Sequence, residues 1–194
     1  MGSEIKRVVL VGAGGVGFYL AVALRRDVPD VELIVYDDDN LEGGFGAQRL
    51  PYVANKLTKK VDFLKGFVRM VMRDSPPLVK PQKVTVQDIV DETQFPYSWW
   101  EGSLVVDASD MGLEVRKPLW DSFRSRGAKM LRVSYDGNGI VVVARGLPLA
   151  SKPGGGYSQV PSMAQSLWAG GVGAAAVEKL LRGEVVSDYQ MEIK

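Results

Sequence analysis

The chain has 194 residues, 24 Lys and Arg against 23 Asp and Glu, 46% hydrophobic residues, and neither Cys nor His. That length predicts a single domain, residues 1–194, with a core of ordinary size. The balanced charge argues against a nucleic-acid partner, and no apolar run is long enough to span a bilayer. The two missing residue types exclude disulfides, thiolate or imidazole metal sites, a cysteine nucleophile and a Ser-His-Asp triad. Chemistry here must use carboxylates, Lys, Arg, Tyr, Ser, backbone dipoles, a cofactor or a hard metal ion. The start of the chain does not read as a signal peptide, so a cytoplasmic address is expected.

Taken in chain order, strand and helix alternate, the pattern of a mainly parallel α/β sheet flanked by helices. Residues 7–11 are a continuous apolar run that ends in glycine, as a buried parallel strand does. A helix follows over 15–26, with Val16, Leu20, Ala23 and Leu24 on one face. A second strand is expected at 31–36, then a loop from 37 to 51. Residues 56–72 have helical spacing, with Leu57, Val61, Leu64, Val68 and Val71 as the apolar face. Further strands are expected at 83–86 and 103–107. A helix at 112–126 and a strand at 129–135 follow. The turn Asp136-Gly137-Asn138-Gly139 predicts an antiparallel return at 140–144. Pro161 is expected to open a last helix ended by Gly183, with Leu167, Gly171, Ala174 and Ala175 facing inward. The tail from 184 onward has no assignment.

Charge is segregated along the chain. Every charged residue from 27 to 46 and from 84 to 110 is acidic, and those from 49 to 83 are mostly basic. Most of these bases read as the solvated face of the helix at 56–72, with one or two projecting toward a phosphate.

Gly12-Ala13-Gly14-Gly15-Val16-Gly17 fits G-x-G-x-x-G between a strand and a helix. Gly12 permits the tight turn, Gly14 lets a ligand approach the backbone, and Gly17 lets the helix pack on its strand. The helix start, with Gly15, offers free N–H groups and partial positive charge to a phosphate. Asp37 stands about 20 residues beyond Gly17, at a strand end, where a carboxylate can accept ribose hydroxyls. These residues indicate nucleotide binding and leave NAD, FAD and ATP open.

Further segments, in order, resemble the ThiF-type adenylyltransferases, the group that includes the adenylation domains of ubiquitin-activating enzymes. The turn has that family's extra glycine. Asp37-Asp38-Asp39 matches its Asp-x-Asp, and Gln48-Arg49 stands where it has Arg-Gln. Lys60-Val61 matches its Lys at a helix start, with Lys56 and Lys59 as rivals. Asp107-Ala108-Ser109-Asp110 matches its Asp-x-x-Asp, with Met111 in place of Asn, and Arg116 follows near the expected place.

The resemblance implies a Rossmann-like fold and ATP-dependent adenylation of a carboxylate. The usual substrate would be the C-terminal glycine of a ubiquitin-like or sulfur-carrier protein ending in Gly-Gly. It also implies a homodimer. By the same resemblance Asp37, Asp39 and Gln48 join the glycines in nucleotide binding. Arg49 and Lys60 would bind phosphates, and Asp110 would hold Mg2+. No general base is required, because a carboxylate is already ionised at pH 7. The zinc-binding CxxC pairs and acyl-accepting cysteine of many relatives are absent, since the sequence has no Cys. Asp107 reads as a structural carboxylate, and Trp99 and Trp100 as packing residues. The rival readings are a NAD-dependent oxidoreductase and a nucleotide-binding module without activity.

Overall fold

A computed structural model describes residues 4–37, 39–41, 58–71, 79–82, 100–135, 140–146 and 162–192. Strand β1 (Arg7–Val11) leads into helix α1 (Gly15–Asp27) and strand β2 (Glu32–Tyr36). Helix α2 (Lys60–Val71) and strand β3 (Val79–Gln82) complete the first half. Strand β4 (Ser103–Asp107), helix α3 (Leu113–Ser125) and strand β5 (Lys129–Tyr135) open the second. Strand β6 (Ile140–Ala144), helix α4 (Met163–Leu181) and strand β7 (Tyr189–Glu192) close it.

The described residues form a seven-stranded sheet in the order β3-β2-β1-β4-β5-β6-β7. Strands β1 to β5 pair in parallel, with Val9 beside both Ile34 and Val105. Strands β6 and β7 run antiparallel to their neighbours. The Rossmann-like α/β sheet and its antiparallel return are as the sequence predicts.

Side chains alternate across the strands, so each apolar run supplies both faces of the sheet. Val8, Leu10, Leu33, Val35, Leu104 and Val106 pack with α1, α2 and α4 on one face. Val9, Val11, Ile34, Tyr36, Val105 and Met130 pack with α3 on the other. Trp100 is wholly buried there, with its ring 4.8 Å from that of Phe123, which confirms its packing role. Helix α1 is covered on most sides because α4 lies along it. Phe18 also stacks against Phe63 of α2 at 5.5 Å.

Three elements differ from expectation or add to it. A strand not foreseen lies at Val79–Gln82 and pairs with β2. The inward face of α4 consists of Ser166, Ala169, Gly170, Gly173, Ala174 and Val177, whereas Leu167, Gly171 and Ala175 are exposed. That helix has small or apolar residues on all sides, so its sequence carries little polarity contrast to orient it. It starts at a capping box, in which Ser162 Oγ accepts from Gln165 N at 3.2 Å and Gln165 Oε1 accepts from Ser162 N at 2.8 Å. The unassigned tail supplies β7. Residues 83–86, Trp99 and the turn at 136–139 lie outside the described residues.

Candidate functional site

Chain direction across the sheet reverses between β1 and β4. From β1 the chain builds outward to β2 and β3, then returns to place β4 on the other side. The carboxyl ends of strands at such a switch point are the usual ligand position in sheets of this kind.

The glycine turn stands there. Gly12 has φ +97°, a conformation that favours glycine, and its N–H donates to Tyr36 O at 2.9 Å. A Cβ at Gly12 would lie 2.9 Å from Ser109 N, so the turn presses against the loop after β4. A Cβ at Gly17 would collide with the Gly12 carbonyl, which explains the close packing of helix on turn. Gly14 differs: its φ is −69°, and a Cβ there would meet nothing within 4 Å. The open space faces the start of α1, whose first N–H groups have no partner within the helix. Gly14 is the N-cap and brings no side chain to satisfy them.

Asp37 follows β2 and braces this turn. Its Oδ2 accepts from Ala13 N at 2.6 Å and its Oδ1 from Asp39 N at 2.9 Å. Its side chain is 8% exposed. Burial pushes its pKa up, while the Lys60 charge and the two backbone donors pull the other way.

Lys60 is brought in by a short antiparallel bridge between Asn40 and Lys59. Leu41 N donates to Thr58 O at 2.8 Å, and Lys60 N to Asp39 O at 3.1 Å. The start of α2 is thereby tied to the end of β2. Lys60 Nζ lies 2.5 Å from Asp39 Oδ2 and 3.9 Å from Asp37 Oδ1. Burial alone would lower the Lys60 pKa. Asp37, Asp39 and Asp110 outweigh it, and the ammonium titrates above its ordinary value.

Asp110 is exposed on the loop after β4, close enough for its charge to act on both Lys60 and Arg116. Asp107, three residues earlier, is wholly buried. Burial would raise its pKa, but the guanidinium groups of Arg132 and Arg116 reverse that and hold the carboxyl below the ordinary range. It is a structural carboxylate, as its place at a strand end predicts.

The structure therefore brings together the glycine turn, Asp37, Asp39 and Lys60, and Asp110 follows Ser109, whose backbone packs on Gly12. Gln48, Arg49, Asp38 and Lys56 lie outside the described residues, as does the glycine-rich loop at 151–156. Sequence reading missed the partners of Asp107, namely Arg132, Trp120 and Ser109. A signal was present for one of them: Arg132 interrupts an apolar strand between Leu131 and Val133, and a buried cation needs a carboxylate.

No family model and no curated protein matches the chain. Solved structures do. The microcin C7 biosynthetic enzyme MccB in complex with N-formylated MccA superposes with a TM-score of 0.76 at 18% identity, covering 97% of this chain and 62% of that one. Escherichia coli MccB with ATP gives 0.74 at 18% identity, covering 97% and 61%. Escherichia coli tRNA N6-threonylcarbamoyladenosine dehydratase, TcdA, gives 0.66 at 16% identity, covering 92% and 86%. The chain thus spans about three fifths of the length of MccB. MccB and TcdA belong to the ThiF-type group. At this level of identity the likeness shows the fold alone, a Rossmann-like architecture that this chain shares with MccB and TcdA.

Proposed function

We propose that this chain binds ATP with Mg2+ and adenylates a carboxylate on a peptide or small protein. The observation that carries the reading is the convergence at the switch point between β1 and β4 of an unobstructed glycine turn, a lysine and two acids. MccB, the neighbour of similar fold, has been crystallised with ATP and in complex with N-formylated MccA.

The described residues suit this chemistry. The open face of Gly14 and the start of α1 accept phosphate oxygens. Asp37 keeps lone pairs for ribose hydroxyls beyond the two bonds that fix it. Lys60 leaves Asp39 to meet the phosphates and steadies charge developing at the α-phosphorus. Among the described residues no three acidic side chains form a metal cluster. Asp110 would hold a divalent ion, whose charge would offset that of the nucleotide phosphates. The substrate carboxylate attacks the α-phosphorus, an acyl-adenylate forms, and pyrophosphate leaves. Arg49 and Gln48 join the phosphate-binding set, Asp39 serves as the resting partner of Lys60, and the assembly is a homodimer.

Within this reading the substrate is a C-terminal Gly-Gly carboxylate of a ubiquitin-like or sulfur-carrier protein. NAD-dependent oxidoreduction is the rival reading, and it would have to use a proton donor other than His, which the chain lacks. Calorimetry should show ATP with Mg2+ binding more tightly than NAD, and Lys60→Ala should weaken ATP by about tenfold, a loss on the order of 1.4 kcal/mol. Pyrophosphate–ATP exchange should appear on adding a Gly-Gly-ended carrier. Tighter binding of NAD would overturn the reading. ATP binding without exchange on any carrier or peptide would reduce it to a nucleotide-binding module.

A further inference from the structure

Asp107 sits at the end of β4 with three sets of partners. From β5, Arg132 Nη1 donates to Oδ1 at 2.7 Å. From α3, Trp120 Nε1 donates to Oδ2 at 2.8 Å, and Arg116 Nε lies 3.0 Å from the same oxygen as a charge contact. From the loop itself, Ser109 donates to Oδ1 twice, through N at 3.0 Å and Oγ at 2.6 Å.

Two further bonds act on that loop. Arg116 Nη2 donates to Ser109 O at 3.3 Å, and Ala108 N donates to Val11 O at 2.8 Å. Both residues between Asp107 and Asp110 are thereby held by their backbone atoms. The fixed points are β1, β4 and α3, which are rigid elements.

A buried ionic network carries a large desolvation cost, and well-packed apolar residues commonly replace one without loss. Its specific product is geometry: it fixes the direction in which the chain leaves Ser109, and so where the next residue projects. That residue is Asp110, which is exposed and follows Ser109, whose N lies 2.9 Å from where a Gly12 Cβ would stand.

We infer that Asp107 and Arg116 are positioning residues, which hold the loop after β4 against the glycine turn and so fix where Asp110 is presented. The loop geometry stands by itself, and the consequence for Mg2+ rests on the proposed function.

Two measurements test this on the full chain. The first titrates ATP calorimetrically over a range of Mg2+ concentrations. Arg116→Lys retains a cation near Asp107 but cannot reach Ser109 O as well. Ser109→Ala removes one bond to Asp107 and leaves both arginines paired. Both should raise the Mg2+ concentration needed for half-maximal ATP binding by about tenfold, as loss of outer-sphere support does. ATP binding in EDTA should stay unchanged. Phe123→Leu, a core substitution on the same helix as Arg116, should lower Tm without moving the Mg2+ requirement. An unchanged Mg2+ requirement in folded Arg116→Lys and Ser109→Ala proteins overturns the inference. So does an equal shift in Phe123→Leu.

The second measurement needs no nucleotide. Amide exchange at Ser109 should accelerate by about tenfold in Arg116→Lys relative to Phe123→Leu. Equal rates overturn the positioning role even if the proposed function holds. A wild-type chain that binds no ATP overturns the proposed function, while accelerated exchange at Ser109 would still establish the loop-holding role.

Discussion

Gly12 and Gly14 stand two residues apart and answer to different demands. Gly12 is needed by the backbone, for its φ of +97° and its contact with Ser109. Gly12→Ala should cost about 1–3 kcal/mol, read as a lower urea midpoint. Gly14 has an ordinary φ and empty space around it. Gly14→Ser should keep or slightly raise stability, since serine is a good N-cap. It should still weaken ATP binding in calorimetry, because the new side chain fills the approach to the backbone. The buried Asp107 makes a second prediction. Its folded pKa is depressed, so its stabilisation is full above the unfolded value of about 3.9 and is lost as pH falls toward the lower folded value. Tm of the wild type should drop through that acid range. Asp107→Asn, which leaves two buried guanidinium groups without their counter-charge, should be destabilised by about 3–5 kcal/mol near neutral pH. Its Tm should also flatten at low pH.

At the scale of elements, the pairing of α1 with α4 is controlled by glycines on one side of α4. A Cβ at Gly170 would lie 2.6 Å from Tyr19 Cβ and 2.8 Å from Leu20 N. A Cβ at Gly173 would lie 2.7 Å from Val133 Cγ1. Neither neighbour can yield without moving α1 or the sheet. Gly170→Ala should destabilise by about 1–3 kcal/mol through overpacking. Gly171, the next residue, has nothing within 4 Å of a Cβ and is exposed. Gly171→Ala should stabilise by about 0.5–1 kcal/mol, the ordinary helix preference for alanine. Thermal denaturation of the two variants, one residue apart, should therefore shift in opposite directions.

For the whole molecule, β7 is the strand that covers β6. It pairs along Ile140 to Val143, next to buried Val141 and Val143. A chain ending at residue 187 would leave β6 as a bare apolar edge, a template for pairing with other chains. Such a truncation should broaden the thermal transition and produce self-association in size-exclusion chromatography. The candidate site belongs to this scale as well. Its residues come from the turn after β1, the end of β2, the start of α2 and the loop after β4, and the reversal of strand order brings them together.

Much of this was legible in the amino-acid chain. Strands at 7–11, 103–107, 129–135 and 140–144 are apolar runs bounded by turn residues, and local burial leaves them no alternative. Of the candidate site, the glycine turn and Asp37 were legible from residue type and spacing at strand ends, whereas Lys60 and Asp110 came only from the family resemblance. Other features were not local. The inward face of α4 depends on where α1 lies, since a helix of alanine and glycine has no polar side to orient it. Strand β7 exists because β6 offers an open edge. Lys60 reaches Asp37 and Asp39 because the bridge at Asn40 ties the start of α2 to the end of β2. The partners of Asp107 lie on three different elements, 2, 13 and 25 residues away. Short-range spacing determines what each segment can form, whereas long-range pairing of buried charge and close backbone contact is decided only when the elements pack.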